Sequence, residues 1–120
     1  MKKIKIAPST KNGASHWLHQ RISAIAMIPL TIWIAISGIY IATDPFNYIA
    51  AFFAYPINAV MAILLIATSL YHGSIGMRVI IEDYISCQSK KHFYIILINL
   101  LSIATAIAGI LAIIRLHLIG

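Results

Sequence analysis

The chain has 120 residues, of which 61% are hydrophobic and 10% charged, and its formal net charge is +6. A soluble domain rarely passes roughly half apolar, and here the apolar residues fall in long unbroken runs, which excludes an ordinary water-soluble fold and points to membrane spans. The length allows one domain, and the cations sit at the ends of apolar runs with no basic face, which excludes nucleic-acid binding and leaves lipid headgroups as their partners.

Met1–Ser15 is polar and is expected to be an N-terminal segment with no fixed fold of its own. Ile22–Thr43 is the first charge-free run, of 22 residues. It is too long, and too bulky at Trp33, to read as a cleaved signal peptide. Asp44-Pro45 is a stop-and-turn signal, and Asp44–Tyr55 reads as a connection. Its aromatic residues (Phe46, Tyr48, Phe52, Phe53, Tyr55) and Tyr40 before it resemble an interfacial belt. Pro56 suits the first turn of a second helix, whose span is predicted at 56–81 and whose end falls near Tyr84. Glu82–His92 is a polar, basic second connection. The third span is Phe93–Ile114, again 22 residues.

About 20 apolar residues cross a bilayer, and in lipid such a segment must be helical because each backbone group needs an internal partner. The prediction is an all-α membrane protein, one domain, with transmembrane helices at 22–43, 56–81 and 93–114. Lys2, Lys3, Lys5, Lys11, Arg21, Arg78, Lys90 and Lys91 fall on one side and Arg115 alone on the other. That bias predicts a cytoplasmic N-terminus and second connection. There is no low-complexity tract or internal repeat.

Three groups of residues stand out. His72 lies inside the second span, twelve residues or about 18 Å before Tyr84 along a helix. An intramembrane ionisable residue suggests function, although a histidine can also bond a neighbouring helix as structural glue. Ser69 and Gly76 share its face, and Thr68 and Gly73 flank it. Such small neighbours leave room for a flat ring such as haem, for which neutral imidazole is an axial ligand. Arg21 stands where the first span begins. It can snorkel to phospholipid or fork onto a carboxylate such as a haem propionate.

Asp83 and Tyr84 end the second helix on the same side as Arg21. A phenol there can hydrogen-bond a quinone carbonyl, and the acid can orient it or relay protons. Both can equally be an interface anchor and a helix-ending acid. His16 and His19 are one turn apart, a weak metal signal. Cys87, the one cysteine, has no partner for an internal disulfide. Asn99 and the stripe Ala104, Ala108, Ala112 are assigned to helix packing. No nucleophilic set, phosphate loop or paired carboxylates occur.

Two stretches carry a family resemblance. Gly13, His16, Trp17, Gln20 and Arg21 form a G-x-x-H-W-x-x-Q-R pattern, followed by Ser23-Ala24 and "IPLTIW". It resembles the first helix of the succinate dehydrogenase hydrophobic membrane anchor (cytochrome b small subunit) family, in its alphaproteobacterial form. His72, Gly76, Asp83 and Tyr84 match that family's H-x-x-x-G-x(6)-D-Y motif, and the third span matches in hydropathy only.

The resemblance implies a membrane anchor of respiratory complex II, linking the tricarboxylic acid cycle to electron transport. It implies packing against a second three-helix subunit, the cytochrome b subunit, with one haem b shared between them. Also implied are docking of the iron–sulfur subunit, which carries the clusters, and of the flavoprotein, which carries FAD. By position His72 would be an axial ligand to the haem iron, Arg21 would lie near the propionates, and Tyr84, supported by Asp83, would meet ubiquinone. On this reading the chain is an enzyme subunit without a complete active site. A quinol:fumarate reductase anchor and a non-enzymatic holin-like pore former are the alternatives. With no transit peptide evident, a bacterial inner membrane is expected, with the mitochondrial inner membrane second.

Overall fold

A computed structural model describes residues 8–120. The expectations placed on Lys2, Lys3 and Lys5 lie outside that range, as do those on the side chains of Lys11 and His16. Four helices follow in order: α1 Pro8–Ala42, α2 Pro45–Ala54, α3 Pro56–Tyr84 and α4 Gln88–Ile119. Among the described residues three segments are long and apolar enough to cross a membrane, Trp17–Ala42, Pro56–Tyr84 and Gln88–Ile119. The chain is an all-helical, multi-pass membrane protein.

The first connection differs from the expectation. Asp44 does stop α1, but the same residue starts another helix: its carboxylate accepts from the Asn47 backbone N–H at 3.4 Å and from Asn47 Nδ2 at 2.7 Å. Pro45 then occupies the first turn, where its missing N–H costs nothing. The aromatic residues therefore do more than mark an interface. Tyr40 stacks on Tyr48 at 4.7 Å between ring centroids, and Trp33 meets Phe52 at 5.7 Å. These contacts fold α2 back along α1. Pro56 opens α3 at its first position, as its backbone geometry favours.

The second connection is shorter than Glu82–His92. Only Ile85–Cys87 is non-helical. Glu82 stays helical and pairs with Arg78 one turn earlier, Nε to Oε1 at 3.0 Å, while Lys90 and Lys91 are good helix formers. Charged residues end an apolar run but do not end a helix.

The helices lie side by side with α3 in the middle. Among the described residues no Cα of α1 comes within 8 Å of a Cα of α4. The result is a slab of 69 × 31 × 21 Å, with a sparse core of Phe53, Ala59, Ala62, Ile75 and Ile81 and no large side chain fully buried among the described residues. Most large apolar side chains face outward, as lipid and neighbouring subunits allow.

Close approach of α3 and α4 depends on Gly109, where a Cβ would stand 3.1 Å from Ile66 Cδ1. Gly120 lies against the Ala50 carbonyl, with no room for a Cβ. The alanine stripe expected to pack is exposed at Ala104, Ala108 and Ala112. The half-buried row of α4 is instead Ser102, Ala106, Gly109 and Ile113, about 100° per residue setting which side faces inward.

Candidate haem and quinone face

α1 and α3 run antiparallel, so the start of α1 lies beside the end of α3. Ser23, from the first turn of the apolar run, projects between them and is 5% exposed. Its Oγ lies 2.9 Å from His72 Nδ1 and 2.9 Å from the Gln20 carbonyl. Nearby, the Tyr71 hydroxyl is 2.9 Å from His19 Nδ1. Gly76 lies at the same contact, where a Cβ would sit 3.5 Å from Gln20 Nε2, an ordinary van der Waals distance.

His72 is half-buried, and its Nε2 has no hydrogen-bond partner among the described residues. Nor is Nε2 a closed-off atom. Among the described residues Gln20 Oε1 is the one buried side-chain polar atom without a partner. The second imidazole nitrogen therefore keeps some accessible surface.

Two recesses lie along the stretch of α3 that carries His72. Ala26, Ala67 and Thr68 help line an apolar recess of about 530 Å³ between α1 and α3, beside Ser23. Ser69 and Gly73 line a groove of about 220 Å³ between α3 and α4. Nothing lies within 4 Å of where a Gly73 Cβ would be. An imidazole in an apolar part of the chain, with one ring nitrogen unpartnered among the described residues, fits an iron-bearing planar macrocycle completed from outside.

Arg21 lies beside a cleft of about 450 Å³, with Trp17, Gln20, Ile75, Arg78 and Glu82 around it. Its guanidinium carbon is 5.3 Å from the centre of the Trp17 ring, a cation–π contact one turn back along the helix. Arg78 is paired with Glu82, whereas Arg21 meets no carboxylate among the described residues. The cleft thus holds one fork of donors available to an external anion.

Tyr84 and Asp83 do not join the cleft. Both lie on the surface at the end of α3, Tyr84 being 85% exposed. Along the chain's axis His72 stands at depth, Arg21 nearer the end and Tyr84 at the end of α3, and the described residues do not join the three into one pocket. His19 is spent on Tyr71, and no group of three metal-binding side chains occurs among the described residues.

Ser23 and Gln20 stand in the family pattern of the first helix, but the sequence alone gives neither a role. One signal was present, since a serine within an apolar span needs a hydrogen-bond partner. Its identity depended on pairing residues 49 apart.

Residues 6–112 match the family described as succinate dehydrogenase/fumarate reductase transmembrane subunit. The chain is 39% identical over 111 residues to the succinate dehydrogenase hydrophobic membrane anchor subunit of Rickettsia bellii, covering 92% of this chain and 89% of the relative. It is 37% identical, with the same coverage, to the protein of that name from Rickettsia typhi. A Neurospora crassa mitochondrial protein, the succinate dehydrogenase [ubiquinone] cytochrome b small subunit, is 33% identical over 78 residues, 65% of this chain and 37% of the relative.

Proposed function

The chain belongs to the succinate dehydrogenase/fumarate reductase transmembrane subunit family, and from that membership we propose that it is the membrane anchor of a succinate:ubiquinone oxidoreductase. It has no complete active site of its own. It seats a haem b and one side of a ubiquinone site, and it docks the iron–sulfur and flavoprotein subunits against a bacterial inner membrane. The names of the relatives favour the succinate dehydrogenase direction over fumarate reduction, and family membership displaces the pore-forming alternative.

The observation that carries the reading is His72, whose Nδ1 is engaged inside the chain while Nε2 has no partner among the described residues and is not fully enclosed. His72 would hold the haem iron through Nε2, with the cytochrome b subunit supplying the other side of the pocket. Arg21 would fork onto a propionate from the cleft beside Trp17. A bound haem supplies a one-electron redox centre. The phenol of Tyr84 would donate a hydrogen bond to a quinone carbonyl at the interface. Asp83, next in the chain, would accept from or orient that phenol and pass protons to the site. The exposure of Tyr84 supports this, because a residue that completes a site between subunits is open in the lone chain.

The slab shape supports partnership as well. Among the described residues α1 and α4 each pack on α3 and not on each other, so the chain does not close a bundle by itself. The cationic end, with Arg21, Arg78, Lys90 and Lys91, is placed on the cytoplasmic side.

The test is a reduced-minus-oxidised visible spectrum of the intact complex, drawn from native membranes in mild detergent, with and without His72→Ala. A b-type signal that His72→Ala removes supports the reading. A signal that survives unchanged rejects His72 as ligand.

A further inference from the structure

We propose that Ser23 is the positioning residue for His72: it holds the imidazole with its proton on Nδ1, so that the Nε2 lone pair is the ligand presented to metal. The inference rests on the haem reading of His72 and adds to it a residue from another helix.

The assignment follows from counting protons. Ser23 carries one hydroxyl proton and sits 2.9 Å from two groups, the Gln20 carbonyl and His72 Nδ1. A carbonyl can only accept. If the hydroxyl donated to Nδ1, the serine and carbonyl oxygens would face each other with no proton between them. If it donates to Gln20, then Nδ1–H donates to Ser23 Oγ and both short contacts are hydrogen bonds. Neutral imidazole carries one N–H, so Nε2 is left as a bare lone pair.

The relay thus runs from ring to hydroxyl to helix backbone, and its last acceptor cannot swing away. Ser23 is 5% exposed, so water does not compete for either bond. Metal-binding histidines are commonly fixed by such an acceptor on the other ring nitrogen, which orients the ring and raises its basicity. A more basic ligand favours the oxidised, more highly charged metal. Removing the hydroxyl frees the ring, leaves Nδ1–H unpartnered in an apolar setting, and shifts the midpoint potential upward.

The experiment uses the intact complex from native membranes, carrying Ser23→Ala, Ser23→Thr, Ser23→Cys or His72→Ala. Haem per complex, the low-spin ferric resonance spectrum and the haem midpoint potential are measured for each. Ser23→Ala is expected to raise the potential, alter the resonance spectrum and weaken haem retention by about tenfold. Ser23→Thr, which keeps the hydroxyl, restores all three. If Ser23→Ala does not assemble, Ser23→Cys keeps the size with a poor hydrogen-bonding atom, and it too shifts the potential upward. A potential and spectrum unchanged in Ser23→Ala, or in Ser23→Cys where that variant stands in for it, overturn the proposal. Loss of haem in His72→Ala alongside an unmoved Ser23→Ala rejects Ser23 alone, whereas unaltered haem in His72→Ala rejects the ligand reading with it.

Discussion

His117 Nδ1, near the end of α4, lies 2.8 Å from the main-chain carbonyl of Phe53 in α2. That carbonyl needs a partner, because the last turn of a helix has no N–H ahead of it to donate. The neighbouring carbonyl of Phe52 is met by Asn58 Nδ2 at 2.9 Å. Two side chains from two other helices thus close the end of α2.

His117→Ala and Asn58→Ala are each expected to lower the stability of the complex by about 1–3 kcal/mol, the cost of an unmet buried polar group. Thermal melting in detergent checks this. His117→Gln, which keeps a donor, recovers part of the loss. Unchanged melting in both alanine variants would show that lipid or solvent satisfies these carbonyls instead.

Gly109 sets how closely α3 and α4 approach. Its missing Cβ would stand 3.1 Å from Ile66 Cδ1 and 3.4 Å from Cγ2. Gly109→Val forces the helices apart and is expected to cost about 1–3 kcal/mol by overpacking. Ile66→Ala in the same chain opens the space and returns part of that stability. Two losses that simply add in the double variant would mean the two positions do not press on each other.

Arg21 holds its guanidinium over Trp17 and has no carboxylate partner among the described residues. Arg21→Ala is expected to weaken haem retention roughly tenfold or more, in line with losing a charge-assisted hydrogen bond of about 1.5–3 kcal/mol. Arg21→Lys keeps a point charge without the fork and falls between the two. Haem per complex after repeated detergent washing is the readout, and equal retention in all three proteins removes Arg21 from the propionates.

Tyr84→Phe deletes one hydroxyl from a side chain that is 85% exposed in the lone chain. Succinate-driven quinone reduction is expected to drop about tenfold, with dye reduction by the flavoprotein and iron–sulfur subunits unchanged. A normal quinone rate excludes Tyr84 from the site. An equal fall in both assays points to damaged assembly.

Much of the architecture was legible in the residues. Long apolar runs can satisfy their backbone only as helices, so class and helix order followed from hydropathy alone. Pro56 marked the start of α3 because it needs no N–H donor there. The errors share one cause. Asp44 and Pro45 were read as a stop, and they also start α2. Lys90 and Lys91 read as loop in the sequence, yet outside the hydrocarbon a charged residue is as helical as any other. The alanine stripe of α4 was assigned to packing, but spacing gives a face and not the direction in which it points.

By itself the sequence determined what each helix is made of: three spans, a histidine at depth in the second, and an arginine and a tyrosine near one end. Those properties are local, set by a residue's own hydrophobicity and charge. Only the tertiary structure decided what those residues meet. It joined Ser23 to His72, placed Arg21 over a cleft shared with α3, closed α2 with His117 and Asn58, and left α1 and α4 apart. The physical reason is that hydrogen bonds act over about 3 Å, while the residues they join here stand up to 64 positions apart. Such bonds form only once the helices have paired.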